Sequence, residues 1–318
     1  MRKNGAPFFL LMALCVAMMS LFAATGIRAG MRGAIGDAKS EALAAEANAA
    51  YEAKDWAKAA KLYGELSKQE NAPPRVWLRL GASLRSLGKY DDAVAAFDKA
   101  TQAGAGLFGE YGKAAVYGAM KQNEKAMEFL DKAVQQGYSD PDGLSNDENF
   151  VALRSDTRFG KILEQAKKNQ RPCAYSAENR QFDFWLGEWD VSTTQGSVPA
   201  GNSKIELILG DCVVLENWKS LNSPYSGKSY NIYNSALKRW EQYWVDNVGG
   251  NIFFHGELKD GVMDYWTDDI PQQAGPALRR HLQFSQLSAD KVRQFSSGST
   301  DGGKTWNVEY DFTYVRKK

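Results

Sequence analysis

The sequence predicts a multidomain α-plus-β chain, in which an N-terminal α-helical solenoid precedes an antiparallel β-barrel of about ten strands. The first observation is a change of composition. Alanine and lysine crowd the first half, whereas seven of the nine tryptophans follow residue 180. Alanine favours helices, and aromatic and β-branched residues favour strands. The second observation is a change of hydrophobic spacing, from helical to alternating, near residue 182.

The first segment has the pattern of a targeting sequence. Arg2 and Lys3 precede an uncharged apolar run over residues 8–24, and small residues follow. This pattern predicts a cleaved signal peptide over residues 1–29. The run is long for a signal and short for a membrane span, so a retained N-terminal membrane anchor stays open. We therefore expect a periplasmic or secreted protein, or alternatively one anchored in the inner membrane and facing the periplasm.

Two of the three cysteines lie beyond this segment, at Cys173 and Cys212. An even number of cysteines in an oxidising compartment favours a disulfide. The alternative is a pair of free buried thiols. A bridge here would hold the linker around residues 169–177 against the second domain.

A repeat runs through the first half. Trp56, Ala59 and Tyr63 lie 34 residues before Tyr90, Ala93 and Phe97, and a weaker third copy follows. Large and small residues at this period resemble the tetratricopeptide repeat, in which each repeat is a helical hairpin that stacks on its neighbours. The resemblance implies a solenoid over residues 38–168, with a capping helix at its end.

The same resemblance implies a concave binding face on the inward helices. The side chains expected there could hold a protein or peptide partner through aromatic contact and guanidinium pairing. These residues are Tyr51, Arg75, Arg85 and Tyr111.

The second half alternates polar and apolar residues, with turns at Gly249-Gly250 and Asp260-Gly261. Many short strands without intervening helices predict a sandwich or barrel. The segment FDFWLGEW contains Gly187-Glu188-Trp189, which resembles the Gly-x-Trp opening of lipocalin-like barrels. Over residues 173–318 the chain is similar to bacterial lipocalin-like domains, some of them fused to tetratricopeptide repeats. The resemblance implies that Trp189 plugs the closed end of a barrel and that Gly187 permits the preceding bend.

A barrel of ten strands is wide enough to enclose a cavity, and such cavities are mostly apolar. Alternation along the strands suggests which side chains would contact a small hydrophobic ligand. They are Trp218, Tyr230, Tyr243, Phe254 and Phe284.

Charge and motifs weigh against other classes. The net charge of +1 provides no basic field for nucleic acid. The only histidines are His255 and His281, and no Cys/His cluster has zinc spacing. No nucleophile elbow or phosphate-binding loop is present. We predict no metal site, no cofactor and no catalytic residue.

The sequence therefore favours an exported binding or scaffold protein over an enzyme. In this hypothesis the repeats bind a protein partner and the barrel binds a small hydrophobic ligand. Two alternatives stay open. One is an enzyme or haem-binding protein that uses the barrel cavity and the two histidines, and the other is a purely structural envelope protein.

Overall fold

The structure is a computed structural model that describes residues 39–318. The predicted signal or anchor at residues 1–29 lies outside the described residues. The chain divides into two compact units, with the division between Asn169 and Gln170. Within residues 39–318, none of the helices combines the length and the hydrophobicity that a membrane span requires.

The first unit is built from helical hairpins. Its helices are α1 (39–52 of the described chain), α2 (Trp56–Leu66), α3 (Pro74–Ser86), α4 (Tyr90–Gln102), α5 (Gly106–Ala119), α6 (Asn123–Gln135), α7 (Pro141–Asn146), a 3₁₀ helix (Glu148–Leu153) and α8 (Thr157–Gln170). Helices α2, α4, α6 and α8 begin 34, 33 and 34 residues apart. Helix α8, predicted as a cap, therefore takes the place of the second helix in a fourth hairpin, whose first helix is replaced by α7 and the 3₁₀ turn.

Close approach of α3, α4 and α5 depends on two glycines around one ring. Phe97 of α4 is 3% exposed. A Cβ on Gly81 of α3 would lie 2.9 Å from its Cζ, and one on Gly112 of α5 would lie 2.2 Å from its Cε1. The Phe97 ring therefore occupies space that a side chain at either glycine position would fill. Such a close fit is expected because protein interiors are as densely packed as organic crystals.

The second unit is a closed antiparallel barrel of ten strands, which confirms the predicted fold class. After the short helix α9 (Pro172–Tyr175) and a 3₁₀ turn (Asp183–Trp185), each strand pairs with the next, and the last pairs with the first. The strands are β1 (Gly187–Thr193), β2 (Pro199–Ile208), β3 (Val213–Ser220), β4 (Ser226–Asn234), β5 (Arg239–Asp246), β6 (Asn251–Lys259), β7 (Val262–Trp266), β8 (Arg279–Ser288), β9 (Lys291–Ser299) and β10 (Asn307–Arg316).

The end of the barrel where β1 begins is filled by aromatic rings, and we call it the closed end. Gly187 has φ +130°, a conformation that favours glycine. It is followed by Trp189, which is fully buried and donates from Nε1 to the carbonyl of Trp185 at 2.8 Å. Arg316 of β10 stacks on the Trp189 ring at 4.2 Å and donates to the Leu186 carbonyl at 2.7 Å. The opposite end, with the β3–β4 turn, we call the open end.

The predicted disulfide is confirmed. Cys173 of α9 is bonded to Cys212 in the turn between β2 and β3. Nearby, Arg171 forms an ion pair with Asp211, and Arg180 donates to the Asp211 carbonyl at 2.6 Å. The segment that leads into the barrel is thus held to the closed end by one covalent and two polar links.

Candidate functional site

A cavity of about 620 Å³ lies inside the barrel towards the open end. All strands except β4 and β7 contribute side chains to its wall. Its lining residues are Thr193, Ala200, Glu216, Trp218, Ser220, Asn222, Tyr225, Gln242, Trp244, Ile252, Phe254, Arg280, Leu282, Gln294, Ser296, Glu309, Tyr310, Phe312 and Tyr314.

One wall of the cavity is aromatic because neighbouring strands carry glycine. A Cβ on Gly201 of β2 would lie 2.4 Å from the Trp218 ring, and one on Gly227 of β4 would lie 2.3 Å from the Trp244 ring. Each indole therefore lies against bare backbone. Trp218 also stacks on Phe312 with ring centroids 5.9 Å apart. Flat aromatic surfaces held in this way can contact a planar or apolar ligand.

A buried carboxyl, Glu216 of β3, also lines the cavity. It is 3% exposed, and its Cα is paired with that of Ser229 on β4. Ser203 donates to Glu216 Oε1 at 2.8 Å, and Ser229 donates to Oε2 at 3.0 Å. Tyr314 of β10 lies 3.2 Å from Oε1. The carboxyl is therefore oriented from three strands.

Burial raises the pKa of Glu216 to about 7, and hydrogen bonds from Ser203, Ser229 and Tyr314 oppose this rise. The Tyr314 hydroxyl is also 2.6 Å from Gln294 Oε1. Since a tyrosine has a single hydroxyl hydrogen, it can donate to Gln294 or to Glu216 but not to both. The carboxyl therefore changes its protonation state near neutral pH in surroundings that can adapt to either form.

Further polar side chains lie inside the barrel next to Glu216, on the side of the closed end. Asn231 of β4 donates to Ser229 Oγ at 3.0 Å and to the Val214 carbonyl at 3.1 Å. Gln242 of β5 donates to Asn231 Oδ1 at 2.7 Å. This network satisfies buried amides that would otherwise cost stability. It makes the middle of the barrel polar, between the aromatic closed end and the aromatic wall.

A second acidic group lies nearer the open end and is neutralised. Arg280 of β8 donates from Nε to both carboxylate oxygens of Glu309, at 2.9 and 3.1 Å. Ser296 donates to Glu309 Oε2 at 2.8 Å. Because this pair cancels its own charge, Glu216 is the carboxyl of the lining that has no cationic side chain bonded to it.

The Glu216 titration predicts a pH-dependent stability. A carboxyl whose pKa rises on folding stabilises the folded state below its unfolded pKa, and this contribution is lost as the pH rises through the folded value. We expect the unfolding free energy of the wild type, relative to Glu216→Gln, to fall by about 3 kcal/mol between about pH 4 and about pH 8. Urea unfolding followed by tryptophan fluorescence measures this difference.

The matched control for that series is Glu206→Gln on β2. Glu206 forms an ion pair with Lys204, and a hydrogen bond from that lysine lowers the pKa of Glu206. Its contribution is present at neutral pH and is lost on acidification, so its difference curve has the opposite sign. A flat difference curve for Glu216→Gln would show that the buried carboxyl does not titrate as described.

The structure brings together two of the five residues predicted to line a cavity, Trp218 and Phe254. Phe284 is fully buried in the closed end, with its ring centroid 4.5 Å from that of Trp185. Tyr230 and Tyr243 lie on the outer face, 39% and 48% exposed, and are cross-strand partners. Phe284 therefore faces the barrel interior but lies below the cavity, whereas Tyr230 and Tyr243 face away from it.

The two histidines also lie away from the cavity. His281 is stacked on Trp266 at 3.6 Å and forms a contact with Asp264, and His255 Nε2 lies 3.3 Å from Asp268. Neither is among the lining residues. Among residues 39–318, no group of three or more His, Cys, Asp or Glu side chains could hold a metal ion.

Of the four residues predicted to form a binding groove on the helical unit, one already has both a hydrogen-bond partner and a stacked ring within that unit. Tyr111 of α5 donates to Asp147 Oδ2 at 2.5 Å and stacks on Tyr138 at 4.8 Å, so contacts within its own unit occupy it. Burial and Asp147 raise the pKa of Tyr111 above its ordinary value, and the Arg85 charge opposes this rise.

The other three residues predicted to form the groove have different surroundings. Tyr51 of α1 is half-buried, and the Arg79 guanidinium of α3 lies 4.3 Å above its ring while donating to Glu52 at 2.9 Å. Arg75 of α3 is exposed and Arg85 is half-buried. Sequence reasoning did not identify Arg79, although it lies one helical turn from Arg75 on the same helix.

Comparison with known proteins bears on the helical unit. Residues 74–103 match the model of the tetratricopeptide repeat, and these residues span α3, α4 and the following turn. No curated protein is found to match the chain. The lipocalin-like resemblance of residues 173–318 stays a prediction.

Three solved structures are similar to the chain, each with a TM-score of 0.30. The type III secretion translocator chaperone SycD of Yersinia enterocolitica, in an alternative dimer, is 22% identical over 40% of this chain and 91% of that chain. The TPR2B domain of yeast Sti1, in an Hsp70 complex, is 24% identical over 41% and 97%. PcrH, in complex with the chaperone-binding region of PopB, is 21% identical over 39% and 94%.

Proposed function

We propose that this chain, which carries tetratricopeptide repeats before a closed ten-stranded β-barrel, is a two-site binding protein. The barrel holds one small, largely apolar molecule in its cavity. The helical repeats bind a protein or peptide partner. The protein acts outside the cytoplasm, where the Cys173–Cys212 bridge is stable.

The observation that carries the proposal is the combination of an aromatic wall and a buried carboxyl in one cavity. Its volume of about 620 Å³ is in the range of small-molecule sites, roughly 300–1,000 Å³. Trp218, Trp244 and Phe312 offer apolar surface, and Glu216 offers a buried carboxyl that hydrogen bonds from three strands orient. Apolar walls with a few placed polar groups are the usual composition of ligand sites.

The open volume argues against the purely structural alternative, in which tryptophan side chains fill the barrel. The outer positions of His255 and His281 argue against a haem held through a histidine inside the cavity. An enzyme remains the second candidate, because the pKa of Glu216, near 7, suits general acid–base catalysis. It would need a reacting partner group, and the binding proposal needs none.

For the helical unit, Arg75, Arg85 and Tyr51 support a partner that carries carboxylates and an apolar side chain. Arginine pairs with carboxylates through two parallel hydrogen bonds. The Tyr51 ring, which Arg79 covers on one side, is half-buried and leaves part of its surface to contact an apolar side chain. Tyr111 does not take part, because Asp147 and Tyr138 already engage it.

The barrel proposal predicts saturable binding of the neutral probe N-phenyl-1-naphthylamine to the full chain. Trp218→Ala removes part of the aromatic wall, and we expect it to weaken binding about tenfold, as loss of one well-packed aromatic contact does. Tyr230→Ala, on the outer face, is the matched control and should leave the affinity unchanged. Probe fluorescence measures both.

Two results would contradict this proposal. One is the absence of saturable binding to the wild type. The other is equal weakening by Trp218→Ala and Tyr230→Ala, which would place the probe on the outer surface.

A further inference from the structure

We propose that Glu216 anchors a cationic group, so that the barrel selects small organic amines over neutral and anionic molecules of the same shape. This inference rests on the proposed binding function and names the chemical class of its ligand. It commits to an ammonium group on an aromatic or other apolar body.

First, the Glu216 carboxyl can accept one more hydrogen bond than the protein supplies. An ionised carboxylate offers about four lone-pair sites. Ser203 and Tyr314 approach Oε1, and Ser229 approaches Oε2. Oε2 therefore has one acceptor site beyond the bond from Ser229. Glu216 lines the cavity, so a donor on a ligand can reach it.

The second step is the charge of the lining. Its charged side chains are Glu216, Glu309 and Arg280. Arg280 is bonded to Glu309 through both carboxylate oxygens. The lining therefore has a net charge of zero when Glu216 is protonated and of minus one when it is ionised. A buried ligand anion would find no uncommitted cation, whereas a buried ammonium would be paired.

The third step is the aromatic wall. The faces of indole rings carry negative electrostatic potential and attract cations. Trp218 and Trp244 lie against Gly201 and Gly227, so their positions are fixed before a ligand arrives. The same wall therefore contacts an apolar ligand body and favours a positive charge beside it.

Pairing with an ammonium requires an ionised Glu216. Below about pH 7 the carboxyl holds a proton, which passes to the buffer when an ammonium binds. The other ionisable groups near Glu216 are Tyr310 and Tyr314 of β10, with Arg280 and Glu309 towards the open end. Burial raises the pKa of both tyrosines, so they stay neutral. The affinity for an amine should therefore rise with pH up to about 7 and then level off.

The test uses three probes on one skeleton: 2-(1-naphthyl)ethylamine, 2-(1-naphthyl)ethanol and 1-naphthaleneacetate. Isothermal titration of the full chain near neutral pH should show the amine binding about tenfold or more tighter than the alcohol, and the carboxylate weakest. Titration at pH 6 in two buffers of different ionisation enthalpy should show release of one proton with the amine and none with the alcohol.

Glu216→Gln should abolish the preference for the amine while binding of the alcohol persists, which also shows that the variant is folded. Glu206→Gln, an outer carboxylate on β2, should keep the wild-type order of affinities. The proton count in the wild type tests the anchor without any substitution.

The outcomes separate the two proposals. If the alcohol binds but the three probes bind equally, or the carboxylate binds best, the anchor is wrong and the binding cavity stands. Amine binding without proton release at pH 6 overturns the anchor as well. If none of the three probes binds, the proposed binding function itself fails.

Discussion

Replacing Trp189 by alanine should lower the unfolding free energy of the barrel by about 3–5 kcal/mol. The indole is fully buried, bonded to the Trp185 carbonyl and covered by the Arg316 guanidinium. Its removal leaves a void at the closed end and an unpaired carbonyl. The surrounding rings, Phe182 and Trp185 among them, come from several strands and turns and cannot collapse together into the gap.

Seven of the nine tryptophans follow residue 180, so intrinsic fluorescence during urea unfolding reports mainly on the barrel. Trp306→Ala is the matched control, because that indole is only half-buried and donates to the Gly303 carbonyl at 3.1 Å within its own turn. Trp306→Ala should lower the unfolding free energy of the barrel much less than Trp189→Ala does. Equal losses in the two variants would contradict the role given to Trp189.

The second large effect is expected in the helical unit. Phe97→Ala should destabilise it by about 3–5 kcal/mol, because the ring fills the space between Gly81 and Gly112 on two neighbouring helices. Far-UV circular dichroism during thermal unfolding follows the helices. Since the chain has two compact units, the two transitions are analysed separately.

The control for Phe97 is Phe108→Ala on α5. Phe108 is 54% exposed, so its removal should cost less than about 1 kcal/mol. A small effect of Phe97→Ala, comparable with that of Phe108→Ala, would contradict the packing of the repeats around this ring.

The parts of the fold that sequence predicted are those in which one spacing or motif fixes the geometry. The 34-residue period placed Tyr63 and Phe97 correctly, since the stacking of hairpins requires repeated packing residues. Gly187 and Trp189 marked the closed end because a positive φ and a buried indole are needed side by side. The sequence did not predict the fourth hairpin, because α7 and a 3₁₀ turn replace its first helix and the repeat pattern is lost there.

The candidate site was harder to predict because the barrel interior is polar where an apolar one was expected. On β4 the buried side chains are Ser229 and Asn231, so Tyr230 between them faces outward. On β5 the buried Trp240 fixes the inward face, which places Tyr243 outside. Assignment by hydrophobicity alone reverses β4, whereas on β5 the two indoles, Trp240 and Trp244, lie on the inward face that Tyr243 does not share.

Glu216 was not identified as a site residue, although the sequence carried a signal for it. It lies between Val214 and Trp218 at spacings of two, so it shares their face of β3. A carboxyl on the inward face of a barrel strand must be bonded or functional, because burying a bare charge is costly. Its partners Ser203 and Tyr314 lie 13 and 98 residues away in the sequence. Contacts over such separations could not be predicted from the spacing of residues along one strand.

Photoaffinity labelling tests most directly whether the barrel cavity is a ligand site. A diazirine derivative of 2-(1-naphthyl)ethylamine is irradiated with the full chain, and the labelled residues are mapped by peptide mass spectrometry. The account predicts labels on cavity residues such as Ala200, Ser220 and Phe312, which unlabelled amine prevents. Labels on the outer face at Tyr230 and Tyr243, or on the helical repeats, would contradict it.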